Sequence, residues 1–249
     1  MTAFHAVLIF AAGVGAGTIN AVVGSGSLIT FPTLVALGYA PVLANVSNDI
    51  GLVPGALSAV YGYRRELVGQ RDRLVRLVPA SVTGGLIGAV LLLVLPSTVF
   101  KRIVIVLIVI ALTLVVLQPR ISAYLNARPS ARKTEIGPAL LLLVAATGIY
   151  GGYFGAAQGI ILIALLGMLV RDHLQRLNAA KNVLAGSVNL VASVVFVFAT
   201  HIDWKIVGLI AAGSIIGGQL GSTFGRRLNP RALRLVIVAV GTVALVRLI

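Results

Sequence analysis

Asn45, Asn48 and Asp49 stand at i, i+3 and i+4 within an otherwise apolar stretch, a spacing that puts them on one face of a helix. Asn178, Lys181, Asn182 and Asn189 fall on a similar face further along. Amides carry donors and acceptors together, so such faces can hold a small polar solute by hydrogen bonds. Two interruptions of apolar sequence add to them. Asn20 precedes the break Gly24-Ser25-Gly26-Ser27, and Tyr153-Phe-Gly155-Ala-Ala-Gln158-Gly159 forms a second one. The candidate substrate-binding set is therefore Asn20, Ser25, Gly26, Ser27, Asn48, Gln158, Gly159, Asn182 and Asn189. Ser25, Ser27 and Gln158 are expected to approach one central site near Asn48 and Asn182. Asp49 is the one carboxylate well inside an apolar run, and Lys181 lies at comparable depth. Either the two pair across the molecule, or Asp49 is a protonatable coupling group. Structural alternatives stand beside these: interhelical hydrogen bonds for the amides, snorkelling for Lys181, and a hydrogen-bond anchor for Asp49.

This chemistry is binding and not catalysis. The chain has no cysteine, and His5, His173 and His201 are scattered, so no catalytic residue, metal site or cofactor is expected. Gly24-Ser-Gly26 lacks the third glycine and the strand context of a dinucleotide fingerprint, and no Gly-Lys-Ser/Thr phosphate loop occurs.

The elements that must position these residues are membrane helices. Of 249 residues, 59% are hydrophobic and 10% charged, against about 25% charged in a soluble domain; mean hydropathy is +1.06. Ten apolar segments can be marked, at 4–23, 27–38, 41–62, 74–95, 100–117, 136–154, 157–170, 178–199, 204–222 and 230–249. Several approach the ~20 residues that span a bilayer. The second and seventh are short and follow Gly-rich breaks, which suits half-helices. The N-terminus lacks the basic region of a signal peptide, so the first segment is expected to stay. The net charge of +14 sits in short loops and reads as a topology signal and as contact with anionic lipid, not nucleic acid.

The polar interval 118–135 separates five segments from five. It is read as a cytoplasmic linker between a first repeat, 1–117, and a second, 136–249. Ser81-Val-Thr-Gly84-Gly85-Leu-Ile-Gly88 matches Ser214-Ile-Ile-Gly217-Gly218-Gln-Leu-Gly221 at an offset of 133. Lys101 matches Arg234 at 133, Asn48 matches Asn182 at 134, and Gly24 falls against Gly155 at 131. The loops holding Arg64, Arg65, Arg71, Arg73 and Arg76, then Arg120, Arg128, Arg132 and Lys133, then Arg171 and Arg176, then Arg226, Arg227, Arg231 and Arg234 belong together in the cytoplasm. That leaves Lys101, Arg102, Lys205 and Arg247 outside and Lys181 within a segment, as the positive-inside rule requires. Both termini are then outside, and an odd number of crossings per repeat makes the repeats inverted. The expected fold is an all-α polytopic membrane protein of two inverted-topology repeats, about five segments each, with broken or re-entrant helices at their interface. Broken helices meeting near mid-membrane are how many secondary transporters form a site.

Asn20…Gly24-Ser-Gly26-Ser-Leu-Ile-Thr-Phe-Pro32, together with Tyr153–Leu162 and Asn178-Ala-Ala-Lys181-Asn182, resembles the paired signatures of the sulfite exporter TauE/SafE family, the 4-toluene sulfonate uptake permeases. The resemblance covers nearly the whole chain. It implies a bacterial inner-membrane transporter of sulfite, sulfonates, sulfoacetate or related organic anions, mostly exported. The chain departs from the family where Gly26-Ser27 replaces a longer glycine run, and where Ile163 or Ala164 stands in place of a proline echoing Pro32.

The residues themselves also favour an anion. Segments two and seven begin after Gly26 and Ala157, and a helix N-terminus offers free N–H donors and partial positive charge. Gly84, Gly88, Gly217 and Gly221 are expected as helix-packing positions. The expected partners are a small anionic substrate and membrane lipid, with a homo-oligomer left open. A structural or assembly partner of another membrane complex, or a transporter of an unrelated small metabolite, are the alternatives.

Overall fold

Each apolar segment becomes a helix in the computed structural model, which describes residues 1–126, 136–225 and 230–248. The helices are α1 (Ala3–Val22), α2 (Ser27–Ala36), α3 (Pro41–Gly62), α4 (Arg71–Val94), α5 (Ser97–Asn126), α6 (Pro138–Tyr153), α7 (Gln158–Leu169), α8 (Leu174–Ala199), α9 (Trp204–Phe224) and α10 (Pro230–Leu248). Their starts follow local chemistry. Thr2 caps α1 by accepting from His5 N at 3.2 Å, and Asp203 caps α9 by accepting from Lys205 N at 3.0 Å. Pro41 and Pro138 open α3 and α6, where a missing N–H costs nothing.

The chain is a multi-pass membrane protein. Among the described residues α1, α4, α5, α8 and α9 are long and apolar enough to cross a membrane. With 10 and 12 residues, α2 and α7 reach only about 15 and 18 Å, half of a ~30 Å hydrocarbon core. Helix α5 runs on through Pro119 to Asn126, into the interval expected as linker, with Ile121 still packed on the core. Arg128, Pro129, Ser130, Arg132, Lys133, Arg226 and Arg227 lie outside the described residues, as does the side chain of Arg231.

Helix pairing follows a rule. α1 packs on α9 as α6 packs on α4; α3 packs on α9 as α8 packs on α4; α2 packs on α10 as α7 packs on α5. Stepping every helix five places along the chain reproduces these pairs, while α3 with α8 and α5 with α10 map onto themselves. Glycines let the principal pairs approach backbone to backbone. A Cβ on Gly84 would sit 2.0 Å from Ala145 O, and one on Gly88 2.1 Å from Ile149 O. One on Gly217 would sit 2.1 Å from Val14 O, and one on Gly221 2.6 Å from Thr18 O.

The two breaks terminate α1 and α6 in the same way. Ile19 O accepts from Val23 N and Gly24 N at 2.7 and 3.0 Å; Tyr150 O accepts from Phe154 N and Gly155 N at 3.0 and 3.2 Å. Gly24 and Gly155 both have positive φ, +84° and +73°, a conformation that glycine adopts without steric penalty. Phe31 and Phe154 pack edge to face beside them, with ring centroids 5.1 Å apart.

Candidate functional site

The two breaks meet. Gly159 N donates to Gly24 O at 2.9 Å, and a Cβ on Gly24 would fall 2.4 Å from Gly159 Cα. Around this junction the expected polar residues are buried, except Asn20, which is half-buried, but they form two clusters and not one.

The first cluster joins α2 to α3. Asn48 Nδ2 donates to Ser27 Oγ at 3.1 Å and to Asp49 Oδ1 at 3.0 Å, and Thr30 Oγ1 donates to Asn48 Oδ1. Asn45, one turn earlier, donates from Nδ2 to Tyr153 O at 3.1 Å and so holds the end of α6. The second cluster joins α8 to the end of α1. Lys181 Nζ donates to Asn20 O at 3.0 Å and to Ala21 O at 3.4 Å. Asn178 Nδ2 and Asn182 Nδ2 donate to the same Ala21 O at 3.1 and 3.2 Å. Three side-chain donors thus converge on one carbonyl, which has two lone pairs. The C-terminal end of a helix is partially negative, so an ammonium there is well placed.

Four expectations need correction. Asp49 and Lys181 do not pair: Asp49 accepts from Asn48, while Lys181 is drawn to the α1 carbonyls. The α7 N-terminus is not open to a solute, because Gly159 N is already bonded to Gly24 O; at α2 the Gly26 N–H donates to Asn20 Oδ1 at 3.2 Å. Gln158 packs against Gly151, where a Cβ would lie 2.3 Å from its Nε2, while Asn182 Nδ2 is bonded to Ala21 O. The register of the polar faces is a constant 133, so Asn48 corresponds to Lys181 and Asp49 to Asn182. Ser81 Oγ donates to Leu184 O as Ser214 Oγ donates to Gly51 O, at 3.2 and 2.9 Å, and both ends of that pair are displaced by 133.

Several buried groups have no hydrogen-bond partner: Ser25 Oγ, Asn45 Oδ1, Asp49 Oδ2 and Gln158 Nε2. Asn20, Gly24, Lys181, Asn182 and Asn189 line a small cavity of about 10 Å³, room for about one water. Beyond the Asn178–Ala21 bond lies a larger cavity of about 180 Å³, lined in part by Val22, Tyr63, Gln118, Gln175 and Asn178. The carbonyl end of α1 lines both, with Ala21 on the small cavity and Val22 on the larger.

Sequence reasoning missed Thr30, Tyr150 and a polar latch. Thr30 follows Ser27 by three residues on α2, a spacing that was legible. Tyr150 OH donates to Ala156 O across the break, which only the folded turn reveals. The latch lies between the α3–α4 and α7–α8 loops. Asp172 binds Arg73 at 2.9 Å and Arg176 at 2.8 Å, Arg176 Nη1 donates to Val68 O at 2.9 Å, and Gln70 Nε2 donates to Arg176 O at 2.9 Å. Partial burial pushes the Asp172 carboxyl up, but hydrogen bonds from Arg176, Arg73 and the His173 N–H outweigh it and hold the group below the usual carboxylate range.

Paired broken helices and a buried, amide-rich junction define a membrane protein built around an internal site, the architecture of a solute carrier. The chain belongs to the sulfite exporter TauE/SafE family, whose model matches residues 9–248. It is similar to the probable membrane transporter protein YfcA of Escherichia coli K12, at 26% identity over 94% of this chain and 86% of that one. It is also similar to a probable membrane transporter protein of Haemophilus influenzae, at 28% identity over 93% and 89%. A third relative is the probable membrane transporter protein ORF9 of a Sinorhizobium species, at 27% identity over 99% and 94%. No solved structure matches. The chain is therefore a membrane transporter and not an enzyme.

Proposed function

We propose that this protein is a secondary transporter of small oxyanions, sulfite or a sulfonate foremost, that exports them by alternating access coupled to an ion gradient. The single observation that carries the reading is the convergence of Lys181, Asn178 and Asn182 on Ala21 O, between a small and a larger cavity. A peptide carbonyl holds these donors in the structure, and a sulfite or sulfonate oxygen would satisfy them better because it carries more charge. An anion entering from the larger cavity meets Asn178 first, then the ammonium. Asn20, Asn182 and Asn189 line the inner cavity; Ser27, in the first break, is held by Asn48, and Gln158 stands in the second break.

The family's printed description, a sulfite exporter, supports the substrate class. The five-place rule of helix pairing supports two inverted repeats, with the break junction at their interface. The distribution of Arg and Lys supports an inner-membrane orientation with the Arg73 and Arg176 loops in the cytoplasm and both termini outside.

Proteoliposomes test the reading. Vesicles loaded with unlabelled sulfite should accumulate labelled sulfite by counterflow, and Lys181→Met should reduce that by on the order of tenfold, the scale of one charge-assisted hydrogen bond. Absence of counterflow with sulfite and with small sulfonates would overturn it.

A further inference from the structure

The two polar faces are equivalent in position and opposite in charge. Asn45 on α3 holds the end of α6, as Asn178 on α8 holds the end of α1. In the shared register the next residues are Asn48 and Asp49 on α3, against Lys181 and Asn182 on α8. At the α1 end, all three α8 side chains donate to the last carbonyls, and one of them is an ammonium. At the α6 end only Asn45 of the corresponding three donates. Asn48 spends both amide hydrogens on Ser27 and Asp49, and Asp49 brings a carboxylate where its counterpart brings a donor.

The α6 end therefore gathers negative character without the cation that its counterpart carries. The carbonyl end of a helix is itself partially negative. Asp49 is 1% exposed and its Oδ2 has no partner; Asn45 is 0% exposed and its Oδ1 has none either. The residues that carry these two oxygens stand one helical turn apart on the same face of α3. A buried unpaired carboxylate is strongly disfavoured, and oxygen ligands of this kind suit a hard cation. One carboxylate balances a single positive charge. The orphan amide oxygen beside it adds a ligand that a bare proton would not need. Carbonyl ends of interrupted helices are also where transporters coordinate sodium.

We infer that Asp49 Oδ2 and Asn45 Oδ1, at the carbonyl end of α6, form a sodium site, the mobile-ion counterpart of the fixed Lys181 ammonium at the end of α1. The inference rests on the transporter reading, since it assigns that transporter's coupling ion.

The test uses full-length protein purified in detergent, with radioactive sodium followed by equilibrium binding against choline. Saturable sodium binding is expected. Asp49→Asn should weaken it by on the order of tenfold or more, the scale of losing one charged ligand. Gly208→Ala, whose added Cβ meets nothing within 4 Å, should leave it intact. If Asp49→Asn does not purify as a folded protein, Asn45→Leu gives the same readout and should also weaken binding. Wild-type protein without saturable sodium binding, or a folded Asp49→Asn variant that binds sodium normally, would overturn the site. Sulfite counterflow that persists in choline alongside absent sodium binding would sink the sodium site and leave the transporter reading standing. Sodium binding without counterflow of any small anion would support the site and count against that reading.

Discussion

Lys181 is the residue on which most of the site turns. It is 1% exposed, and its two partners are carbonyls of a helix end. Snorkelling to the membrane surface, one of the sequence readings, is thus not how it is housed. Lys181→Met removes two hydrogen bonds while Asn178 and Asn182 still hold Ala21 O. It should lower stability by about 1–3 kcal/mol, read as a lower unfolding temperature in detergent. Thr30 offers a milder case. Thr30→Val keeps the shape and deletes the hydroxyl that donates to Asn48. About 1 kcal/mol of stability should go, and unfolding of the purified variant measures it.

At the scale of elements, the close helix pairs are governed by glycine. Gly84→Leu would drive a side chain into the α6 backbone, where even a Cβ meets Ala145 O at 2.0 Å. Folded protein should be lost, as a collapse of the monodisperse peak in size-exclusion chromatography. Gly208→Ala makes the contrast, because nothing lies within 4 Å of its added Cβ. That variant should elute as wild type and gain slightly from helix propensity. The breaks behave differently from the packing faces. Ala157 holds φ at 60°, a left-handed conformation that disfavours a non-glycine residue by roughly 1–2 kcal/mol. Ala157→Gly should therefore raise stability, and unchanged or reduced thermal stability would contradict that account.

For the whole molecule, the Arg73–Asp172–Arg176 latch ties a loop of the first half to one of the second, near the cavity that Gln175 and Asn178 line. The absence of native cysteine makes single-cysteine labelling clean. Gln175→Cys in purified protein should react faster with a maleimide when Asp172→Asn is added, because the loops then part. The pH dependence has a defined sign. Asp172 has a lowered folded pKa, so its contribution is present in full above the unfolded value near 3.8 and is lost only as pH falls through the lower folded one. The ratio of Gln175→Cys labelling with Asp172 intact to labelling with Asp172→Asn at the same pH, which cancels the ionisation of the thiol itself, should therefore stay flat from about pH 5 upward. A rise on mild acidification would show that another group controls the latch.

The sequence alone determined the membrane class, the ten helical segments, the short second and seventh helices and the two breaks. Those features follow from composition and local periodicity, which tertiary structure can hardly override in a chain this apolar. Family membership was legible in the same breaks. The tertiary structure decided which way each polar side chain points. A helical face at i, i+3, i+4 places Asp49 and Lys181 in depth, but not in azimuth across the bundle, and so the ion pair, one of the readings the sequence allowed, gives way to two separate clusters. The N–H groups at the start of α7 seemed available from sequence spacing, yet the opposite break supplies Gly24 O to one of them. Close backbone approach of Gly24 and Gly159, which lie in opposite halves of the sequence, is set by long-range packing, and no local pattern encodes it.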